Sequence, residues 1–283
     1  MPTINIFWFR RDLRLQDNAG LYHALKGEHP ILPIFIFDKN ILDKLEDKAD
    51  ARVEFLQETI SELQKELKSL GSNLLVFYNN PEKAWKQLLK DYTIGEVYTN
   101  RDYEPYALER DGMVEEMLEK KKIDFKTYKD HMIFEKDEVT KDDGLPYTVF
   151  TPYSRKWKKK LETKMEVGKQ HSKISYYLQS YPNEKYFSNF YQSKESFEIP
   201  SLKIMGFQPT NIKIPSKTVV QKIIKQYDQN RNFPAINGTS RLGIHFRFGT
   251  ISIREKARKA GALNETYLNE LIWRDFYLSL IHI

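Results

Sequence analysis

The 283-residue chain contains no cysteine, which excludes a disulfide framework and thiolate chemistry. No apolar run reaches the length of a membrane-spanning helix. The opening Met1-Pro2-Thr3-Ile4-Asn5-Ile6 passes straight into a strand-like pattern, without the charged and apolar regions of a secretory signal. A cytoplasmic protein with no membrane partner is the simplest expectation. The six histidines lie far apart without ligand spacing, so no metal site is expected. No Gly-x-Gly-x-x-Gly follows the first apolar run, which disfavours dinucleotide binding there, and no internal repeat is visible.

What is present divides unevenly. Residues 1–133 hold 20 Lys+Arg against 24 Asp+Glu, while 134–283 hold 25 against 15, giving net charges of −4 and +10. The second part is the one suited to a polyanion, although a lysine-rich solvated surface has the same composition. Ile4 to Phe9, Ile31 to Phe37, Asn73 to Phe77, Glu96 to Thr99 and Ile123 to Tyr128 are short apolar or β-branched runs and read as buried strands. Between them lie helical patterns. Val53, Leu56, Ile60, Leu63, Leu67 and Leu70 alternate spacings of three and four before Gly71, an amphipathic helix with a glycine stop. Strands alternating with helices predict a parallel α/β domain over 1–133. Residues 134–215 read as a surface connector with one helix near Pro152 to Met165, and 216–283 as a helical domain opened by Val219, Val220, Ile223, Ile224 and Tyr227.

Two stretches near the end carry chemistry. Gly238-Thr239-Ser240 offers small residues, hydroxyls and N–H groups where a loop enters a helix, a place that favours phosphate but also fits an ordinary Ser or Thr N-cap. Gly243 comes one residue too late for a Gly-x-Ser-x-Gly hydrolase elbow, so no covalent serine mechanism is inferred. In Asn269-Glu270-Leu271-Ile272-Trp273-Arg274, a helix puts Glu270, Trp273 and Arg274 on one face. Glu270 either binds a base or pairs with Arg274, and Trp273 either stacks on a base or packs beside Leu271 and Phe276. The basic run Arg155 to Lys160 suits phosphate contacts or a solvated face. His245, among Phe246 and Phe248, reads as a satisfied core residue. Arg10, Arg11, Asp12 and Arg14 after the first strand are expected to dock two domains.

Tyr227 and Arg231 lie one helical turn apart, and the stretch they open, Tyr-Asp-Gln-Asn-Arg-Asn-Phe-Pro-Ala-Ile-Asn-Gly-Thr-Ser-Arg-Leu at 227–242, resembles the flavin-binding segment of the DNA photolyase and cryptochrome family. Phe-Arg-Arg-Asp-Leu-Arg-Leu-Gln-Asp-Asn at 9–18, Pro-Tyr-Thr-Val-Phe-Thr-Pro-Tyr at 146–153 and Glu-Leu-Ile-Trp-Arg at 270–274 extend the likeness, in order, over essentially the whole chain. The resemblance implies a Rossmann- or flavodoxin-like antenna domain and an incomplete all-α FAD domain. It implies that Tyr227, Thr239, Ser240, Arg241 and Leu242 hold the ribityl-pyrophosphate part of FAD, with Gly243 standing where a serine is common. Tyr267, in place of a Trp of some members, and Arg274 would also line the flavin. Arg231 would lie towards DNA, Glu270 would hydrogen-bond the damaged base, and Trp273 would stack on it while Arg274 contacts flavin or substrate.

The activity so implied is light-driven repair of cyclobutane pyrimidine dimers by a monomeric deoxyribodipyrimidine photo-lyase using reduced FAD, with DNA as its partner. The alternatives are a cryptochrome-type light sensor and a flavin electron-transfer or nucleotide-binding module without DNA. A folate or deazaflavin antenna is left open, because Tyr103-Glu104-Pro105-Tyr106-Ala107-Leu108 lacks the Asn-Glu pair of some folate-binding members. Members of the family are longer, so a C-terminally truncated, inactive fragment is expected. Leu278-Ser279-Leu280-Ile281-His282-Ile283 is what the adapter string CTGTCTCTTATACACATC encodes, and native sequence is expected to end at Tyr277.

Overall fold

The computed structural model describes residues 2–162, 164–167, 170–193, 195 and 197–281, and side chains throughout except at 136, 164–167 and 170–174. His282 and Ile283, the end of the adapter-like string, lie outside the described residues. Contacts divide the chain into two units: Met1–Asp130 with Tyr181–Ile214 and Arg247–Thr250, and His131–Ser180 with Pro215–Phe246 and the residues from Ile251 onward.

The first unit is built on five parallel strands: β1 (Thr3–Phe9), β2 (Ile31–Asp38), β3 (Leu75–Asn79), β4 (Thr93–Asn100) and β5 (Asp124–Tyr128), in the order β3-β2-β1-β4-β5. The five runs read from sequence are these strands. Side chains alternate across the sheet, so each central strand feeds two cores. Phe7 and Phe9 of β1 join Phe35 and Phe37 of β2 on one face, and Ile4, Ile6 and Trp8 join Leu32, Ile34 and Ile36 on the other. The connections carry α1 (Ala19–Leu25), α2 (Lys39–Leu42), α3 (Ala51–Ser69), α4 (Pro81–Asp91) and α5 (Pro105–Glu119). α3 is the amphipathic helix expected before Gly71. Asp50 caps it by accepting from Arg52 N at 2.8 Å, and Gly71 follows it with φ +79°, a conformation that favours glycine.

The second unit holds α6 (Phe150–Leu161), the antiparallel pair β6 (Lys164–Val167) and β7 (Gln170–Ser175), α7 (Gln221–Lys225), α8 (Tyr227–Asn230), α9 (Gly243–Arg247) up to Phe246, α10 (Ile253–Leu263) and α11 (Glu265–Leu280). The helix expected over 152–165 therefore starts two residues earlier and stops at Leu161, where the chain turns into β6. The stretch expected as a surface connector divides between the units. Phe134, Tyr153, Trp157 and Leu178 are buried in the helical core, whereas Phe190, Met205 and Phe207 are buried against the sheet. Tyr191 N donates to Ile31 O at 2.7 Å, tying this stretch to β2. Large aromatic side chains set this division by the area they remove from water. Among the described residues no helix is long and apolar enough to cross a membrane.

Candidate functional site

In the helical unit the sequence-predicted residues gather around α11. Asn264 caps α11, its side chain accepting from Tyr267 N at 3.1 Å and donating to Asp228 of α8 at 2.8 Å, so one residue fixes α11 to α8. Tyr267, in the first turn of α11, meets Tyr227 edge-on with ring centroids 5.0 Å apart. Burial pushes both phenols up. The Tyr267 hydroxyl is buried without a well-formed hydrogen bond, but it lies close enough to Ser240 for that hydroxyl to oppose the shift. α11 is thereby brought to the predicted phosphate loop.

That loop differs from the expectation of a direct helix entry. α9 begins only at Gly243, so Thr239 and Ser240 precede it by several residues, and its five residues carry little dipole. Arg241 takes a left-handed φ of +51°, which turns the backbone here. Gly238 is buried, and a Cβ on it would lie 2.5 Å from Asn230 O, so only glycine lets the loop close on the end of α8. Thr239, Arg241 and Gly243 are exposed, while Leu242 is buried and anchors the loop in the helical core. Nothing would obstruct a side chain at Gly243.

Glu270 does not pair with Arg274. It pairs with Arg231, which the end of α8 delivers across from α11, and the Arg231 guanidinium lies 5.9 Å from the Tyr227 ring. Trp273 is half-buried and lies parallel on Phe150 at 3.6 Å, with Phe276 edge-on at 5.6 Å. Arg274 donates to His131 O and approaches His131 Nε2, both at 2.7 Å, which requires that nitrogen to be unprotonated. Glu270, Trp273 and Arg274 thus share a helix face but reach α8, α6 and the segment before Ile133 respectively. In the basic run, Trp157 is buried, Lys158 pairs with Glu265 at 2.6 Å and Lys156 with Asp142 at 2.6 Å. His245 is buried with Nε2 2.8 Å from Pro215 O.

A cavity opens in the sheet unit, partly lined by Glu104, Tyr106 and Ala107 of the stretch on which the antenna is left open. It measures about 220 Å³ and lies at the C-terminal ends of β1, β2 and β4, the edge where doubly wound sheets bind ligands. Its walls are mostly apolar, including Trp8, Phe37, Leu56, Ala107 and Phe248. The polar groups include Asp38, which accepts from Tyr106 Oη at 2.5 Å and Asn40 N at 2.9 Å. Burial pushes the Asp38 carboxyl up, and burial together with that hydrogen bond pushes Tyr106 up to about 12.

Of the charged loop after β1, Arg10 and Arg11 line this site. Arg10 pairs with Asp111, Arg11 with Glu104 at 2.5 Å and Asp102 at 3.3 Å, and Arg14 with Asp130 at 2.7 Å, all within the sheet unit. Asp12 accepts from Arg10 N at 2.7 Å and Asn100 Nδ2 at 2.6 Å. The physical reason is proximity: consecutive parallel strands deliver their following loops to one edge, where opposite charges meet.

A doubly wound α/β unit joined to a helical unit with an acid, indole and guanidinium on one helix defines the class. The sequence profile of the DNA photolyase family matches residues 5–170, more than half the chain, and the protein belongs to the DNA photolyase family. A deoxyribodipyrimidine photo-lyase of a Synechococcus species is 31% identical over 96% of this chain and 59% of that protein. One from Alkalihalophilus pseudofirmus is 31% identical over 97% of this chain and 58% of that protein. The crystal structure of an archaeal photolyase from Sulfolobus tokodaii with two FAD molecules superposes with a TM-score of 0.72 at 27% identity, covering 98% of this chain and 59% of that one. The chain spans about three-fifths of the length of these relatives.

Sequence reasoning assigned no role to Phe150, His131, Asp275 or the cavity residues Asp38 and Arg110. Phe150 stands inside Pro-Tyr-Thr-Val-Phe-Thr-Pro-Tyr, and Asp38 ends an apolar strand run, so each carried a signal. Neither signal named a partner.

Proposed function

We propose that the whole protein is a light-driven DNA repair enzyme acting on cyclobutane pyrimidine dimers. The observation that carries this reading is the α11 side on which Glu270 faces Arg231 across from Tyr227 and Tyr267, beside the Ser240 loop. The residues fit FAD. Exposed Thr239, Arg241 and Gly243 leave the loop open to a pyrophosphate, and the buried Tyr267 hydroxyl meets Ser240 without a well-formed hydrogen bond. Tyr227, Thr239, Ser240, Arg241, Leu242, Gly243, Tyr267 and Arg274 would hold it. Reduced FAD, when bound, supplies the light-excited electron that opens the cyclobutane ring and takes it back.

This chain's residues bind and orient. A dimer must leave the duplex, at a cost of a few kcal/mol that falls for a poorly stacked lesion. Trp273, which stacks on Phe150 at 3.6 Å and on Tyr277 at 5.4 Å, would exchange one of these contacts for a base, stacking being worth roughly 1–3 kcal/mol per base. Glu270 accepts from a base N–H once Arg231 turns from it to a phosphate. The cavity of the sheet unit would take a second, light-gathering chromophore, consistent with the two FAD molecules of the Sulfolobus tokodaii photolyase.

The test is to load the whole protein with FAD, reduce it and illuminate it with near-ultraviolet or blue light in the presence of an oligonucleotide carrying one thymine dimer. Light-dependent loss of dimers is expected. Flavin photochemistry without dimer loss would overturn repair in favour of light sensing.

A further inference from the structure

Asp275 sits on α11 next to Arg274, on the side of the helix turned into the core, and is 1% exposed. One of its oxygens, Oδ2, accepts from Ile133 N at 3.1 Å, Phe134 N at 3.3 Å and Trp157 Nε1 at 3.1 Å. The other, Oδ1, has no hydrogen bond and lies 3.8 Å from Arg274 Nη1. Three parts of the helical unit therefore converge on one carboxylate: α11 itself, α6 through Trp157, and residues 133–134. The same parts carry the side chains that meet the candidate substrate face. α6 begins at Phe150, which lies flat on Trp273, and His131, just before Ile133, receives Arg274. Nothing in the proposed chemistry uses this buried acid.

We propose that Asp275 is a positioning residue: its carboxylate ties α6 and the 131–134 segment to α11, and so fixes Phe150 against Trp273 and His131 against Arg274. Bonds from N–H groups to an ionised oxygen are roughly twice as strong as those to a neutral one. Protonation on Oδ1 leaves three weaker bonds at Oδ2 and ends the attraction for Arg274, which loosens both contacts while the fold persists. Burial pushes the Asp275 carboxyl up to about 6, so this change falls within an accessible pH range. The titratable and charged groups around it are Arg274 on its own helix, Tyr153 on α6 and His131 in the preceding segment, with Glu138 acting on Tyr153. The link to substrate rests on the reading of Trp273 and Arg274 as the substrate face. The positional link does not.

Trp8, Trp85 and Trp157 are buried, which leaves Trp273 as the tryptophan that acrylamide reaches in the intact chain. Quenching of tryptophan emission is expected to rise at least twofold as pH falls through about 6. Asp275→Asn should show the high value at every pH with no titration. His131→Gln should keep the titration, which assigns it to the carboxyl. A folded Asp275→Asn protein with the wild-type quenching profile, or a His131→Gln protein that loses it, overturns the proposal. Should Asp275→Asn fail to fold, Trp157→Phe decides: removing one donor should move the midpoint to higher pH, and an unmoved midpoint overturns the proposal. None of these measurements needs flavin or DNA, so their outcome is independent of whether dimers are repaired.

Discussion

Glu270 and Arg231 are each about one-third exposed, at 35% and 36%, so solvent screens their pair and it adds at most about 1 kcal/mol to stability. In the proposed function its value lies in holding a carboxylate and a guanidinium ready at one spot. Glu270→Ala is therefore expected to lower the unfolding free energy by less than about 1 kcal/mol and to weaken binding of thymine-dimer DNA at least tenfold, read by denaturant unfolding and fluorescence anisotropy. Wild-type affinity in the variant would remove Glu270 from the substrate face. Asp275 behaves oppositely in stability. Its folded-state pKa of about 6 exceeds the ordinary carboxylate value, so the folded chain binds more protons than the unfolded one between about pH 4 and 6. Stability from this group falls as pH rises through that window, by an amount on the order of 3 kcal/mol. Urea unfolding of wild type and Asp275→Asn at pH 4.5 and 7 checks this: the difference between the two proteins should change with pH in that sense.

At the scale of elements, the strands and the long helices were legible because their signal is local. Alternation on β1 and β2 and the three-four spacing on α3 reflect burial on a repeating lattice, and burial follows the period. Gly71 is legible for the same reason. Gly249 is not: its φ of +61° and the 2.0 Å separation between a built Cβ and Arg11 O arise from a residue 238 positions away. Gly249→Ala is expected to destabilise by more than about 2 kcal/mol, whereas Gly243→Ala, whose Cβ meets nothing within 4 Å, should have little effect. Thermal unfolding of both variants reads this contrast. The cavity is likewise a product of elements rather than of a motif. β1, β2 and the loop after β4 supply Trp8, Asp38 and Asp102 from three separated stretches, and α5 closes it with Ala107. Ala107→Trp fills that space and is expected to abolish binding of FAD in the cavity while leaving the proposed binding at the Ser240 loop unchanged. Titration of flavin fluorescence counts the sites.

Across the whole molecule the charge is asymmetric, with −4 in residues 1–133 and +10 in the remainder. The proposed DNA binding is expected to weaken steeply with salt, the logarithmic slope falling by about 0.9 for each phosphate contact. Arg231→Gln should reduce that slope by about one, and a slope near zero would exclude a phosphate-based interface. By itself the sequence determined the class: the parallel α/β part, the helical part and the ordered motifs that place the chain in its family, because local periodicity and short motifs survive without a partner. It also put Glu270, Trp273 and Arg274 on one helix face. Only the tertiary structure decided what each meets. Arg231 faces Glu270 across 39 positions, Phe150 lies on Trp273, and His131 receives Arg274 across 143 positions. Those pairings are fixed by how separate elements close a shared core, and a distance along the chain carries no information about them.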